Sequence, residues 1–473
     1  MASKNISFET IPSSIRKPGK YLEFNTKLAV RTLPSNKQRL EIIGQRMSTG
    51  TATVGLPFKV FDDETAALWF GRGSQLHLMV RAAIVANRFV EITAIGVDDN
   101  GAGTAATNTH TFTGTTTGAG LVTVGCGNQR IEVAIDTGKT AAQVATAVHA
   151  ELIKQVNLPV TYSVAAGVIT ATNKHKGTVG NTIKMEATTT APGLAVATTQ
   201  PVNGLTDPDL TATLASAFTA TEEILVVPYG AQTTLTAVRT HLNDRSSAIE
   251  QRGCVAVYAS TGTLSAATTL AGQINSGRMV SALLPGSASP GYEIAAAMAS
   301  VIAFEEDPAM PLNTLVLTGI APPNQASRLG RTEQEVCLAN GVTPLEVGPG
   351  EQVQIVRAVT TYTLNAEGVT DISLLDLTTI RTLDYVRKAV RERMSLRFPR
   401  GKLSSRTPKA VRSEILDVLF KIEELEIIEE VEANKDGLLV ERDLQDPNRL
   451  DARIPADVVN GLHVFAGRID LLL

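Results

Sequence analysis

The sequence predicts an α/β multidomain protein, an α/β core that carries a mainly β inserted domain and has an extended arm strand at each end. Three observations carry that prediction. From about residue 222, apolar runs alternate with helical stretches, as in a largely parallel sheet covered by helices. Residues 97 to about 205 break the rhythm with Gly- and Thr-rich composition and short alternating runs. At both ends, apolar and polar residues alternate with the period of a strand.

At 473 residues the chain exceeds one ordinary core, and two to four domains are expected. A hydrophobic content of 43% with 19% charged residues leaves ample apolar surface to bury. The net charge of −4 exerts no global pull on nucleic acid or anionic membrane. Aromatics are only 4%, with Trp69 the single tryptophan, while Thr and Val are abundant, a composition that favours β-structure with small side chains. Cys126, Cys254 and Cys337 are widely spaced and form no CxxC, so a reducing cytoplasm is expected rather than a disulfide framework. The opening residues contain no signal-peptide core and no apolar run reaches membrane-spanning length, so neither export by that route nor a bilayer segment is expected.

Taken in order, the first segment reads as an extended arm. Ile6 and Phe8 alternate with polar neighbours, Pro12 and Pro18-Gly19 bar a helix, and Tyr21, Leu22 and Phe24 resume the strand pattern. A lone terminal strand must join a sheet in its own body or in a neighbour. Asp62-Asp63-Glu64 opens a helix with acids in its first turn, Leu76–Val85 reads as a second helix or a buried segment, and Phe89–Gly96 alternates as a strand. Within 97–205, strands are expected at 110–112, 121–124, 130–135, 160–164 and 168–172, with one helix over 140–156 capped by Thr140. Strands then follow at 224–227, 254–258, 279–284 and 315–317, separated by helices at 235–242, 264–275 and 292–304. Beyond 350, strand material at 353–364 precedes a helix over 377–398 and another N-capped by Thr407 with Pro408 at its first position. The final run places Leu462, Val464, Ile469, Leu471 and Leu473 in a strand pattern.

Catalytic motifs fail one by one. Gly138-Lys139-Thr140 ends like a phosphate-binding loop, but Val133 stands where its first glycine belongs. Gly71-Arg72-Gly73 lacks the third glycine of a dinucleotide fingerprint, and the glycines around Gly286-Ser287-Ala288-Ser289 are misplaced for a nucleophile elbow. Asp98-Asp99-Asn100-Gly101 is too short for a calcium loop and reads as a tight turn. The six histidines, His77, His110 and His241 among them, have no metal-ligand spacing. No catalytic residue, cofactor site or metal site is expected.

A charge block stands out instead. Eleven cations, Arg381, Arg387, Lys388, Arg391, Arg393, Arg397, Arg400, Lys402, Arg406, Lys409 and Arg412, face only Asp384 and Glu392, and an acidic run from Glu414 to Glu432 follows. Solvated helix faces account for it, and so does a basic and an acidic surface meeting complementary surfaces on other subunits. Nucleic-acid binding is the third reading, weakened because no aromatics interleave with the cations.

Ile11–Ala29, IPSSIRKPGKYLEFNTKLA, resembles the opening of Mu-like contractile phage tail sheath proteins. Asn340-Gly341-Val342-Thr343, followed by Val356-Arg357-Ala358-Val359-Thr360-Thr361, resembles the pattern of sheath C-terminal domains. The resemblance covers most of the chain outside 97–205, where sheath proteins carry variable insertions. It implies an N-terminal linker arm (1–27), an α/β middle domain (28–96 and 206–350), an inserted outer domain (97–205), a C-terminal domain facing the tail tube (351–461) and an arm strand (462–473). It also implies a structural, non-enzymatic subunit without cofactors. Copies would form stacked hexameric rings, their arms adding strands to different neighbours, in a sleeve that contracts to drive the tube through the host envelope. The basic residues Arg387, Arg391 and Arg397 are the expected tube contact. The implied partners are further copies, the tube protein, and baseplate and tail terminator proteins, with no nucleic acid or membrane. The implied location is the virion tail, after assembly in the host cytoplasm. The alternatives are another tail or baseplate protein, or an enzyme with a nucleotide site around Val226–Leu284.

Overall fold

The computed structural model describes residues 14–22 and 33–471, which divide into two compact units. The larger holds residues 36–385, 426–430 and 456–471. The smaller holds 386–425 and 431–455 together with 14–22 and 33–35.

The larger unit begins with β1 (Arg39–Gln45), β2 (Pro57–Val60), helices α1 (Asp63–Phe70) and α2 (Gln75–Ala86), and β3 (Glu91–Val97). The Asp62 carboxylate accepts the Thr65 amide at 2.7 Å and caps α1, as its acidic start predicts. The chain then leaves for an inserted layer: β4 (Ala105–Gly114), β5 (Gly120–Cys126), β6 (Gln129–Ile135), α3 (Ala141–Leu152), β7 (Val160–Ala165), β8 (Val168–Lys176), β9 (Met185–Thr189) and β10 (Leu194–Thr198). It returns through α4 (Thr211–Ala217), β11 (Ile224–Val226), α5 (Gln232–Arg245), β12 (Val255–Ser260), α6 (Leu264–Ile274), β13 (Met279–Leu283), α7 (Gly291–Phe304), α8 (Arg331–Ala339), β14 (Thr343–Val347) and β15 (Val353–Ile355).

These elements make an eight-stranded sheet in the order β15-β14-β13-β12-β11-β1-β3-β2, parallel from β14 to β3 with an antiparallel strand at each edge. Leu40, Ile42, Val226, Val257 and Val280 face α2 and α7, whereas Ile43, Leu225, Ala256 and Met279 face α4 and α5. Burial on both faces is what makes these strands read as nearly continuous apolar runs. Helix α7 is apolar on all sides and correspondingly buried from Ile294 to Ala303. Its Gly291 cannot be replaced cheaply, because a Cβ there would meet the Ala259 carbonyl oxygen at 2.5 Å. The 315–317 run falls short of the regular strand expected of it: it bridges Val316 to Gln354 and is tied to β15 by the Ile355 amide to the Leu315 carbonyl at 3.0 Å and the Leu317 amide to the Val353 carbonyl at 2.8 Å.

The inserted layer has its own core, with Val144, Val148 and Leu152 of α3 packed on Val122, Val124, Ile169 and Met185. Two sheets, β10-β4-β8-β7 and β6-β5-β9, surround it. Thr140 and Gln143 form a reciprocal capping box at the start of α3. At the root, Asp99 accepts from Gln45 Nε2 at 2.9 Å and from the Lys176 amide at 3.0 Å, and it meets His175 Nδ1 at 2.8 Å. The Asp-Asp-Asn-Gly turn is therefore a structural clasp.

His110 on β4 is fully buried, its Nδ1 2.9 Å from the Thr198 hydroxyl, and burial pushes its pKa down to about 4. The imidazole is neutral when folded but protonates near 6.5 when unfolded. Stability from this residue is thus intact above pH 6.5 and is lost as pH falls toward 4. Between pH 7 and 4.5, protection of the β4 amides, measured by hydrogen exchange corrected for intrinsic rates, is expected to fall by about 2–3 kcal/mol. His110→Gln removes most of that drop. An equal drop in the variant would assign the acid sensitivity elsewhere.

The smaller unit consists of the second half of α9 (Leu377–Arg397), α10 (Thr407–Glu423), α11 (Val431–Asn434), β17 (Leu439–Arg442) and β18 (Leu450–Arg453). Strands β16 (Ile428–Glu429) and β19 (Asp457–Val458) belong to the larger unit and pair with each other. Thr407 is the first residue of α10 rather than its N-cap, because its hydroxyl donates to the Lys402 carbonyl at 2.7 Å and accepts the Ser404 amide at 2.9 Å. The helix is amphipathic, with Val411, Ile415, Val418 and Ile422 on its buried stripe.

Candidate assembly surfaces

Tyr21 and Leu22 are exposed, and residues 14–22 form no strand; the Tyr21 hydroxyl donates to the Lys17 carbonyl at 3.1 Å. Ile6, Phe8 and Phe24 lie outside the described residues, as does Leu473. At the other end, no strand forms over 459–471, contrary to the alternation in that run. Leu462, Val464, Ile469 and Leu471 are each at least 78% exposed, as is Phe465, which the alternation passed over. A strand exists only where a partner supplies hydrogen bonds, and among the described residues none pairs with this run.

The ribbon β17–β18 is incomplete in the complementary sense. Leu439 to Arg442 pair with Arg453 to Leu450, and no third strand joins them. Arg412 of α10 pins the start of the ribbon by donating to the Leu438 and Lys435 carbonyls at 2.9 and 2.7 Å. Both long edges remain unpaired among the described residues, and two strands alone are marginal in water. The sequence reading missed this ribbon, although Asp446-Pro447-Asn448 between its two strands is a turn signal.

The eleven cations do not form one surface. Arg393 is 4% exposed and reaches Glu414 and Asp417 at 3.2 and 2.8 Å, and Arg397 pairs with Glu414 at 3.0 Å. Arg381 is buried and donates to the Glu305 carbonyl, while Lys388 reaches the Ser35 carbonyl at 2.7 Å. The basic and acidic runs therefore neutralise each other in part across the α9–α10 hairpin, which corrects the expectation of two separate charged surfaces. Of the three residues expected to meet a tube, Arg391 is exposed, Arg387 is half-buried, and Arg397 is engaged with Glu414. Arg400, Lys402, Arg406 and Lys409 are exposed and have no ion-pair partner among the described residues.

The two halves of the C-terminal motif, Asn340–Thr343 and Val356–Thr361, lock together. The Thr343 hydroxyl donates to the Val359 carbonyl at 3.0 Å and accepts its amide at 2.9 Å. The Thr361 amide reaches the Met279 carbonyl at 2.8 Å, and Arg357 clasps Asp376 through two bonds of 2.8 and 2.6 Å. Gly341 has φ +68° and a Cβ there would lie 2.9 Å from Thr361 Cα, so both backbone and contact require glycine. These residues fasten β14 to the segment that leads into α9. Among the described residues, no group of three or more His, Cys, Asp or Glu side chains is placed to hold a metal ion, and no helix is long and apolar enough to cross a membrane.

The family model for the phage tail sheath protein central domain matches residues 203–361, and that for the phage tail sheath C-terminal domain matches 369–471. The Mu-like prophage FluMu tail sheath protein of Haemophilus influenzae is 31% identical over 487 aligned residues, spanning 99% of this chain and all of that protein. That alignment takes in the inserted layer as well as the rest. The fold is similar to that of the sheath tail protein of Desulfitobacterium hafniense, with a TM-score of 0.52 and 12% identity over 94% of this chain and 97% of that one. It is similar again to the sheath of an extracellular contractile injection system in its contracted state, with a TM-score of 0.52 and 10% identity over 97% and 98% of the two chains. With whole-length identity to one sheath protein and both family models in order along its sequence, the chain belongs to the Mu-like phage tail sheath family and is a structural, non-enzymatic subunit of a contractile tail.

Proposed function

We propose that this subunit polymerises as a helical sleeve of six-membered rings around a tail tube and contracts to drive the tube through the host envelope. The observation that carries the reading is an exposed run, 462–471, that pairs with no strand among the described residues, in the same chain as a two-stranded ribbon whose edges are open among those residues. A strand given to a neighbour's ribbon supplies backbone hydrogen bonds, and alternate side chains set its register. Ile6, Phe8, Tyr21, Leu22 and Phe24 belong to the N-terminal donor, and Leu462, Val464, Ile469, Leu471 and Leu473 to the C-terminal one. The two halves of such a contact differ, so it closes into rings or continues as a helix. Arms keep subunits connected while their bodies rotate, and contraction becomes a repacking under unchanged connectivity.

In this reading the inserted layer, 97–205, points outward, and the C-terminal region faces the tube. Baseplate and tail terminator proteins bound the two ends of the sleeve, which forms in the host cytoplasm and resides in the virion tail. Negative-stain microscopy of the purified protein tests the whole reading: rings and long tubes are expected, and a discrete oligomer of fixed size at every concentration would overturn it. Arg387, Arg391 and Arg397 meet the tube. The test is Arg387→Glu with Arg391→Glu. The double variant is expected to coat tubes several-fold less than it self-assembles, and 1 M salt, with its Debye length of about 3 Å, is expected to mimic it in part. Normal coating by the variant removes these residues from the tube contact.

A further inference from the structure

We propose that the tip of the α9–α10 hairpin docks on the turn of the β17–β18 ribbon in a neighbouring copy of this chain, an inference that rests on the sheath reading. Residues 398–409 carry Arg400, Lys402, Arg406 and Lys409 and not one acid. All four cations are exposed, and beside them Leu396 on the last turn of α9 is 56% exposed. Arg beside exposed apolar side chains suits a protein contact, and Phe398, the one aromatic in this stretch, is half-buried, which leaves no open stacking face for a single-stranded nucleic acid.

The chain supplies the complementary surface itself. Residues 441–451, around the turn between β17 and β18, hold Glu441, Asp443, Asp446 and Asp451 against Arg442 and Arg449, an acidic excess of two, with Leu444 fully exposed at the centre of the turn and Arg449 paired with Asp451 at 2.7 Å. Asp443 is occupied by its own turn, accepting the Gln445 and Asp446 amides at 2.7 and 2.6 Å. Glu441 and Asp446 are exposed, with no salt bridge to any cation among the described residues, although one Asp446 oxygen accepts the Asn448 amide at 2.9 Å. Arg442 Nη2 donates to the Leu403 carbonyl at 2.8 Å, so the basic tip and the acidic turn lie at the same end of one compact unit. Two adjacent patches of opposite sign, each with an exposed leucine and neither neutralised by the other, fit a contact passed from copy to copy. Such a contact is heterologous, since the tip of one copy meets the turn of the next, and an interface whose two halves differ can propagate around a ring. It is also continuous with the strand exchange, because the ribbon that receives a neighbour's arm carries the turn that receives a neighbour's tip.

The test is a charge swap in the full-length chain. Arg400→Glu with Lys402→Glu reverses the tip, and Glu441→Lys with Asp446→Lys reverses the turn, with circular dichroism verifying the fold. Each pair alone is expected to raise the concentration needed for polymerisation at least tenfold, and the combined variant to return it to within threefold of the unaltered chain. Glu441→Gln with Asp446→Asn serves in place of the turn reversal if that variant misfolds, with an expected rise of a few-fold and a weaker salt dependence. Single-side variants that polymerise within twofold of the unaltered chain would overturn the contact, and so would a folded combined variant no better than the worse parent. A reversed tip that polymerises normally but no longer coats tubes would assign the tip to the tube instead and likewise overturn it. Absence of polymers from the unaltered chain would overturn the sheath reading beneath it, a different failure from either of these.

Discussion

Removal of residues 459–473 is expected to leave a folded monomer that no longer forms tubes. The cut falls just after β19, so the pairing of Ile428 with Val458 survives. Over 459–471 the ties to the rest of the chain are slight: the Val459 amide reaches the Ile427 carbonyl at 3.4 Å, and His463 Nε2 lies 3.8 Å from Asp376. No core residue is lost, and the far-ultraviolet circular dichroism should match that of the full chain. Assembly is another matter. A donated strand of several residues gives roughly four hydrogen bonds at about 0.5–1.5 kcal/mol net, a loss of about 2–6 kcal/mol at every subunit contact. That corresponds to about 30-fold to 10⁴-fold in each association step, enough to remove polymers at ordinary concentrations. Sedimentation velocity reads the outcome directly, and tubes of normal length from the shortened chain would sink the arm-exchange mechanism. Removing residues 1–20 should have the same effect, and mixing the two shortened chains should not restore long tubes, because in the proposed exchange each copy gives both strands.

Arg245→Met is expected to destabilise the larger unit by about 3–5 kcal/mol, the cost of leaving a buried carboxylate without its partner. Arg245 and Glu41 are both fully buried, with Nη1 and Oε2 3.0 Å apart. Arg245 also donates to the Ala220 and Glu222 carbonyls, so one side chain of α5 ties the centre of the sheet to the loop before β11. Burial pushes the Glu41 carboxyl upward, and the attraction of Arg245 opposes that shift. The double variant, Glu41→Met with Arg245→Met, is expected to recover more than half of the loss, because well-packed apolar side chains replace buried ion pairs at little cost. Urea unfolding of both variants measures this. A single-variant loss below about 1 kcal/mol would show that water reaches the pair.

Much of the fold was legible because burial writes a period into the chain. Strands β11, β12 and β13 and helices α5, α6 and α7 lie within a few residues of where their apolar spacing put them. The caps at Asp62 and Thr140 are local, each satisfied within three residues, and local chemistry survives any tertiary context. β1 went unread although it is central, since Arg39 and Glu41 make RLEIIGQ look half polar. The partner that makes Glu41 tolerable lies 204 residues away on α5. The Thr-rich β9 and β10 were missed for want of large apolar residues, and they are held by pairing with β5 and β4.

By itself, then, the sequence determined the parallel sheet, its covering helices, the β-rich insertion and the absence of any recognisable catalytic motif, all properties of spacing and composition. Tertiary structure alone decided which charges are available. Arg393 and Arg397 look like their neighbours Arg400 and Lys402 in the sequence, yet the hairpin turns Glu414 and Asp417 toward the first two and leaves the tip bare. It also decided that 459–471 form no strand among the described residues, despite the alternation in that run. Strand pairing and ion pairing are both contacts between segments distant in sequence or on separate molecules. Local spacing can announce a need for such partners, and only the fold and the assembly select them.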